Sequence, residues 1–216
     1  MCNIKIFMKY FTLIITLFFF SCGKKEDVLL PKSNVTIVKD VQDLSPIYIF
    51  FKTQGKDTIA EVNRKSSIIS TNWIFNIDKR LPLKLVIPEV MKLQEKKRAD
   101  SAHKNEKAEN YYSYADSIGK NLAFLPFTKV YYKMEKPTTG DLVIYFKKGS
   151  KNVFVNNEEV RRENVLEHIG QIAFFVKPKV YLFFDKNMSF QEYIENKIEF
   201  QKLNPYNGEI PKEFIF

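Results

Sequence analysis

The sequence predicts an α+β fold built from two degenerate copies of one unit, each a small mixed β-sheet packed against helices. Short segments rich in Phe, Tyr, Val and Ile alternate with segments whose apolar residues follow helical spacing. In addition, residues 74–94 resemble residues 181–201 at a constant spacing of 107 residues. The chain has 216 residues, of which 45% are hydrophobic, so it is long enough to bury a core for both copies.

The repeat aligns two Asp-Lys pairs, Asp78-Lys79 and Asp185-Lys186, each placed between a predicted strand and a predicted helix. Apolar residues follow both pairs at helical spacing: positions 83, 86, 87, 90 and 91 in the first copy, and 190, 193, 194 and 198 in the second. Lys197 is the one exception to this pattern. Each copy is therefore predicted to run strand, strand, strand, an optional helix, strand, helix.

The strands upstream of the Asp-Lys pairs repeat less closely. Residues 47–56 match residues 142–151 at a spacing of 95, which aligns Phe51 with Phe146. The segment 35–41 is predicted as the first strand of the first copy.

The first 21 residues are typical of a signal peptide. Lys5 and Lys9 precede an apolar run of eleven residues, Tyr10 to Phe20, whereas a helix that spans a bilayer needs about 20 apolar residues. The sequence Phe20-Ser21-Cys22-Gly23 resembles the lipobox of bacterial lipoproteins. This resemblance implies cleavage before Cys22 and a diacylglyceryl group on its sulfur. The alternative is an uncleaved anchor helix that ends in an ordinary cysteine.

Two or more acyl chains, such as palmitate, would hold the protein stably on a membrane. The expected location is the bacterial cell envelope, on the outer membrane or on its periplasmic or surface side. The predicted organisation follows in chain order: signal peptide (1–21), lipidated cysteine and tether (22–34), first α+β unit (35–98), charged helical connector (99–127) and second α+β unit (128–216).

Local signals also predict two details of the helices. Within the connector, residues 110–127 are predicted to form a further helix, weakened by Gly119 and ended by Pro126. Pro88 is predicted to kink the first long helix or to delay its start to about residue 88, because proline removes a helical hydrogen bond. The rest of the charged connector is predicted to extend this helix into solvent.

The second unit resembles the periplasmic domain of the ExbD/TolR family of biopolymer-transport proteins. The similarity covers residues 152–200: a strand, the Asn156-Asn157 turn, a helix at about 159–174, a strand ending in Asp185 and a final helix. The resemblance implies docking in an envelope complex, or contact with peptidoglycan as in the TolR branch. Members of the family carry a membrane-embedded Asp, and residues 1–21 contain no acid, so proton conduction is not implied.

Asp78 and Asp185 are the only acids at matched positions of the repeat. They could form a two-carboxylate site. The preferred interpretation is structural, because an Asp at the end of a strand can satisfy free N–H groups of the next helix. Ser189 and Glu192 match a capping box, S-x-x-E, at the start of the second long helix.

Other chemistry-bearing residues are few. His103 and His168 have no further ligand at metal-binding spacing, so neither a metal nor a cofactor is predicted. Cys2 and Cys22 are the only cysteines and cannot form a disulfide framework.

The sequence therefore predicts a non-enzymatic docking or adaptor lipoprotein whose partners are the membrane and an envelope protein complex. The alternative is a peptidoglycan- or glycan-binding lipoprotein that uses exposed tyrosines and its basic surface, since the formal net charge is +9. A third hypothesis is a hydrolase whose site the sequence does not show. Nucleic acid is not an expected partner, because the chain is predicted to be exported and lacks an aromatic-basic RNA motif.

Overall fold

The computed structural model describes residues 27–99, 102, 105–135, 142–172, 178–202 and 212–216. The predicted signal peptide, the predicted lipidation of Cys22 and the histidine at position 103 lie outside these residues. In the part of the chain that the structure describes, no helix is long and apolar enough to cross a membrane.

The first unit contains a sheet of six strands: β1 (Lys32–Ser33), β2 (Leu44–Gln54), β3 (Asp57–Asn63), β4 (Asn72–Ile77), β5 (Asn110–Asp116) and β6 (Asn121–Pro126). The strand order is β1-β5-β4-β2-β3, with β6 paired to β5. Strands β1, β5, β4 and β2 are parallel to their neighbours, whereas β3 and β6 are antiparallel hairpin partners. Helix α1 (Leu83–Ala99) connects β4 to β5.

The second unit contains the other sheet: β7 (Tyr132–Lys133), β8 (Leu142–Phe146), β9 (Asn152–Val155), β10 (Glu158–Arg161), β11 (Val180–Phe184) and β12 (Lys212–Ile215), in the order β10-β9-β8-β11-β12-β7. A short 3-10 turn at Arg162–Asn164 leads into helix α2 (Val165–Gln171). Helix α3 (Phe190–Lys202) follows β11. Two mixed sheets with three α-helices among the described residues confirm the predicted α+β class.

Helix α1 begins where the repeat predicts and continues through Pro88. The predicted start near residue 88 is therefore wrong. One side of the helix is buried from its first turn onward, including Leu83, Ile87 and Val90 on both sides of the proline. We attribute the continuity to this burial, which outweighs the single hydrogen bond that proline removes.

Residues 110–127 do not form the predicted helix, because they build the hairpin β5–β6. Every second residue of β5 faces the core, and Tyr112 and Tyr114 are fully buried there. This alternation is the period of a strand, and aromatic residues favour strands. The part of the chain predicted as a connector therefore completes the first sheet. In the second unit, β12 occupies the equivalent place, since it follows α3 and pairs with β11 as β5 follows α1 and pairs with β4.

The segment 35–41 is also not the first strand that the sequence predicts. Val38 and Phe124, in β6, exchange two backbone hydrogen bonds of 3.1 and 2.9 Å, so Val38 lies beside the edge of β6. Val41 packs with Ile74 and Phe124 in a small second cluster. The segment thus covers apolar residues on the face of the sheet that points away from the helices.

The sheet registers correct the alignment of the repeat. Ile49 pairs with Ile77 in the first sheet, and Phe146 pairs with Phe184 in the second. Because Ile77 and Phe184 are 107 residues apart, Phe146 corresponds to Ile49 at a spacing of 97, and the predicted match to Phe51 is wrong. A shift of two residues keeps every side chain on the same face, so the apolar pattern could not detect it.

One hydrophobic core extends through both units. The ring of Tyr112 stacks on Phe127 at a centroid distance of 3.7 Å and meets the edges of Phe190 and Tyr193 at 5.2 and 6.2 Å. Since Tyr112 and Phe127 belong to the first unit and the other two rings to α3, neither unit closes its core alone.

Candidate functional site

The two units are joined at the loops that follow β4 and β11. The N–H of Leu83 donates to the carbonyl of Met188 at 2.9 Å, and the N–H of Phe190 donates to the carbonyl of Leu81 at 2.8 Å. The first N–H groups of a helix have no partner within the helix. Each long helix therefore has N-terminal donors satisfied by the other unit.

A second reciprocal pair of bonds repeats this pattern. The N–H of Lys84 donates to the carbonyl of Lys186 at 2.8 Å, and the N–H of Gln191 donates to the carbonyl of Lys79 at 3.1 Å. The four bonds form two reciprocal pairs, because the residues of one bond in a pair are each 107 positions from the corresponding residues of the other. Pro82 and Ser189, which are also 107 residues apart, form a β-bridge between the two pairs. A pseudo-two-fold axis thus passes between residues 82 and 189. We call residues 78–84 and 185–191 the two-fold seam.

Asp78 is fully buried at this seam. Its carboxylate accepts two hydrogen bonds from the guanidinium of Arg80, at 2.8 and 2.7 Å, and one from the Arg80 N–H at 3.0 Å. Burial alone raises the pKa of Asp78, but the hydrogen bonds from Arg80 and from the N–H of Leu29 outweigh it and lower the pKa. Arg80 also lies over the ring of Phe51, at 4.4 Å from its centroid.

Asp185 occupies the equivalent position and makes the equivalent turn. Its carboxylate accepts the N–H of Asn187 at 2.8 Å, as that of Asp78 accepts the N–H of Arg80. Both acids therefore close a turn two residues ahead. Among the described residues neither carboxylate accepts a helix N–H, so that part of the structural interpretation is wrong. The Asp185 carboxylate is held within its own turn, whereas the Asp78 carboxylate also accepts the N–H of Leu29.

The predicted cap residues lie at the start of α3. The Ser189 N–H and hydroxyl donate to Glu192 Oε2 at 3.0 and 2.7 Å, and the Glu192 N–H returns a bond of 3.3 Å to the hydroxyl. The other carboxylate oxygen of Glu192 accepts the N–H of Gly149 at 2.8 Å. Burial raises the pKa of Glu192, but these bonds prevail and lower it. The cap thereby also fixes the loop after β8.

The predicted tether enters the body at the seam. The N–H of Leu29 donates to Asp78 Oδ2 at 3.3 Å, and the N–H of Lys79 donates to the carbonyl of Leu29 at 2.8 Å. Three residues later, the amide of Gln191 bonds both the N–H and the carbonyl of Lys32, each at 2.9 Å. Residues 29–33 are thus bound to both units, and Lys32–Ser33 adds strand β1 to the first sheet.

Lysines surround this end of the molecule. We call the following six the seam lysines: Lys32, Lys79, Lys84, Lys147, Lys148 and Lys186. All are exposed or half-buried, and none forms a side-chain ion pair with another described residue. Lys147 and Lys148 are included because their loop begins next to the seam, where the carbonyl of Phe146 accepts the N–H of Asp185 at 3.1 Å.

A buried polar chain, which the sequence analysis missed, crosses the shared core. The hydroxyls of Tyr112 and Tyr132 share a hydrogen bond of 2.7 Å, and those of Tyr132 and Tyr193 share one of 3.0 Å. Tyr193 then donates to Glu213 Oε2 at 2.8 Å, and Lys197 donates to Glu213 Oε1. Glu213 has no exposed surface at all.

Burial raises the pKa of the Tyr112, Tyr132 and Tyr193 hydroxyls well above the usual value, so the three remain neutral donors and acceptors. The sequence carried one signal of this chain, because Lys197 interrupts the apolar pattern of α3 at the position where α1 has Val90. No local pattern pointed to Glu213, since it lies in the strand that the repeat missed. We assign the buried chain a structural role.

The outer face of the second sheet carries a connected array of six rings, the outer aromatic face: Phe154, Tyr145, Phe216, Phe183, Phe214 and Tyr181. Successive centroids lie 5.3 to 6.0 Å apart. The two central rings, Phe183 and Phe214, are 8% and 4% exposed, and the other four are half-buried. The ammonium of Lys212 lies 5.8 Å from the ring of Tyr181, and that of Lys133 lies 5.9 Å from Phe214.

At the opposite end of α1, Lys97 is buried and donates to the Thr71 carbonyl at 3.0 Å and to Asn110 Oδ1 at 2.9 Å. Its ammonium also lies 5.0 Å from the centroid of the Trp73 ring. Burial lowers the pKa of Lys97 to about 8. The end of α1 is therefore anchored to the amino ends of β4 and β5, and it does not extend freely into solvent.

The remaining candidate, His168, does not belong to a cluster of possible metal ligands among the described residues. His168 lies 3.5 Å from a carboxylate oxygen of Glu158 at the surface. Across the described ranges, no three His, Cys, Asp or Glu side chains are grouped so that they could hold a metal ion.

Comparison of the chain with protein-family models, with curated proteins and with solved structures found no match. Its function is therefore argued from the geometry above.

Proposed function

We propose that the protein is a non-enzymatic docking lipoprotein of the bacterial cell envelope, attached to a membrane through Cys22. The observation that carries this proposal is the way the tether enters the fold. Leu29 is bonded to Asp78 and Lys79 of the first unit, and Lys32 is bonded to Gln191 of the second. A lipid on Cys22 would therefore hold a rigid body, and a rigid body suits an adaptor that presents a fixed surface to a partner.

We further propose a relation to the periplasmic domain of the ExbD/TolR biopolymer-transport family. The order of elements in the second unit supports it: β9, a turn, β10, α2, β11 followed directly by Asp185, and α3. The turn residues Asn156 and Asn157 both have positive φ, 48° and 73°, as a tight hairpin turn requires. On this proposal, docking in an envelope complex is the retained activity.

The outer aromatic face is the surface that we propose for protein docking. Aromatic residues are enriched in the buried centres of protein interfaces, because they bury much area while losing few rotamers. A photo-crosslinking residue at position 181 should capture an envelope protein in living cells. The same residue at position 117, on the exposed turn of the β5–β6 hairpin, is the matched control. Identical adducts from both positions, or none from position 181, would contradict docking at this face.

The anchor has its own test. Replacing the proposed lipidated residue, Cys22→Ala, should leave an uncleaved precursor that does not incorporate labelled palmitate. Retained palmitate labelling in this variant would show that Cys22 is not the lipidated residue.

A second candidate function, binding of peptidoglycan or another acidic glycan, is favoured by the lysines over the outer aromatic face. Sugar rings stack on aromatic rings, and Lys212 and Lys133 lie within 6 Å of the ring centroids of Tyr181 and Phe214. Co-sedimentation with purified peptidoglycan should then be lost at high salt, which screens exposed charges, and also in Tyr181→Ala. No co-sedimentation at low salt would exclude this candidate.

A further inference from the structure

The seam lysines lie on the same end of the molecule as the entry of the tether. Backbone bonds establish this placement: Lys79 bonds Leu29, Lys84 bonds Lys186, and Lys32 is bonded by the side chain of Gln191. Since Gln191 also bonds the carbonyl of Lys79, these residues form one continuous patch around the pseudo-two-fold axis.

The acids near this patch do not balance its charge. Asp78 is neutralised by Arg80. Asp185 accepts the N–H of Asn187, Glu192 accepts the N–H groups of Ser189 and Gly149, and Glu195 accepts a bond from the side-chain amide of Gln191 at 2.7 Å. Six lysines therefore face four remaining carboxylates, because the exposed Asp27 lies two residues before Leu29, and the patch carries net positive charge.

An apolar side chain lies within this positive patch. Leu29 is 46% exposed although its backbone is held at both its N–H and its carbonyl. From Cys22 to Leu29 the chain has seven residues, which span about 25 Å at most when fully extended. A body held through Cys22 would thus turn this end of the molecule towards the bilayer.

We propose that the seam lysines and Leu29 form a surface that binds the anionic headgroups of a lipid bilayer. The orientation in this proposal rests on the proposed anchor at Cys22. The binding itself does not, because the lysines attract anionic lipid whether or not the chain is acylated.

The test uses residues 27–216, which lack Cys22. The buried hydrophobic residues of the described chain all lie between Val41 and Ile215, so this fragment contains every one of them. It should co-sediment with vesicles of equal parts phosphatidylglycerol and phosphatidylcholine, and not with vesicles of phosphatidylcholine alone. The binding should weaken as salt is added, because it is electrostatic.

The variant Lys79→Gln, Lys84→Gln, Lys186→Gln removes three seam lysines that form no ion pair in the described structure. Each lysine near an anionic surface contributes about a fivefold gain in partitioning, so the triple variant should bind about a hundredfold more weakly.

The matched control is Lys65→Gln, Lys107→Gln, Lys129→Gln, three exposed lysines near the opposite, amino end of β4 and β5. It has the same net charge as the seam variant and should bind like the unchanged fragment. Equal losses in both variants would show that only net charge matters, and this result would overturn the proposal. The proposal would also be overturned if the unsubstituted fragment did not co-sediment with the vesicles that contain phosphatidylglycerol. If Cys22 proves not to be acylated but the fragment binds, the anchor fails and the lipid-binding surface stands.

Discussion

Asp78 shows how one residue can join three parts of the chain. Its buried carboxylate holds the Arg80 side chain, the turn after β4 and the N–H of Leu29. Asp185 repeats only the turn. The repeat in the sequence predicted that the two acids are equivalent, and it could not predict this difference because Arg80 corresponds to Asn187.

We predict that Asp78→Asn lowers the free energy of unfolding at pH 7 by about 2 kcal/mol, because hydrogen bonds to a charged group are lost. Asp78 has a lowered pKa in the folded state, so its contribution is complete above the unfolded pKa of about 3.9 and is lost as pH falls through the folded pKa. The difference between the unchanged protein and the variant should therefore shrink below about pH 4. Urea unfolding at several pH values measures it.

Asp185→Asn is the matched control for this prediction. Its carboxylate accepts a single turn N–H, which an amide oxygen can also accept, so the loss should stay below about 1 kcal/mol. Equal losses in the two variants would mean that the Arg80 and Leu29 bonds contribute nothing.

The helices and strands were predicted best where the periodic pattern of apolar residues extends over many residues. Both long helices begin at residues related by the spacing of 107, Leu83 and Phe190, as the repeat indicates. The β5–β6 hairpin was missed because seven-residue strands leave few periods to count. The Tyr residues at 111, 112 and 114 also fit a helical side as well as a strand. The segment is a strand because it pairs with β4, which is distant in sequence.

The turn of this hairpin yields the second prediction, with two glycines as a pair. A Cβ on Gly119 would clash with Asn121 Oδ1 and lie 2.8 Å from Asp116 Oδ2, whereas a Cβ on Gly170 meets nothing within 4 Å. The Asp116 carboxylate accepts the N–H groups of Ile118 and Gly119, so moving it aside would weaken these bonds, and Gly119→Ala should lower the free energy of unfolding by about 1 kcal/mol. Gly170→Ala in α2 should raise it by about 0.5 kcal/mol, because alanine favours a helix. Thermal unfolding followed by circular dichroism compares the two, and stabilisation by Gly119→Ala would contradict this turn geometry.

At the scale of the whole molecule, the buried chain from Tyr112 to Lys197 and the aromatic contacts across it make the two units one cooperative body. Trp73 is the single tryptophan and lies in β4 of the first unit, so its fluorescence reports on that unit alone.

We predict that Glu213→Gln, in the second unit, lowers the urea midpoint measured by Trp73 fluorescence as much as the midpoint measured by circular dichroism. The loss should be about 3 kcal/mol, because the variant leaves the buried Lys197 ammonium without its counter-charge. The exposed control Glu167→Gln in α2 should leave both midpoints unchanged. A shift in circular dichroism without a shift in fluorescence would show that the units unfold separately.

The sequence by itself determined the α+β class, the equivalent positions of Asp78 and Asp185, the start of the second long helix and the cap at Ser189. Each of these is encoded by neighbours along the chain, through apolar period and turn chemistry. Only the tertiary structure decided that Phe146 corresponds to Ile49, at a spacing of 97 residues, and that residues 110–126 form the β5–β6 hairpin. It alone also revealed the two-fold seam and the buried Glu213. These depend on which apolar faces and free backbone groups meet across the molecule, and residues close in sequence do not specify their distant partners.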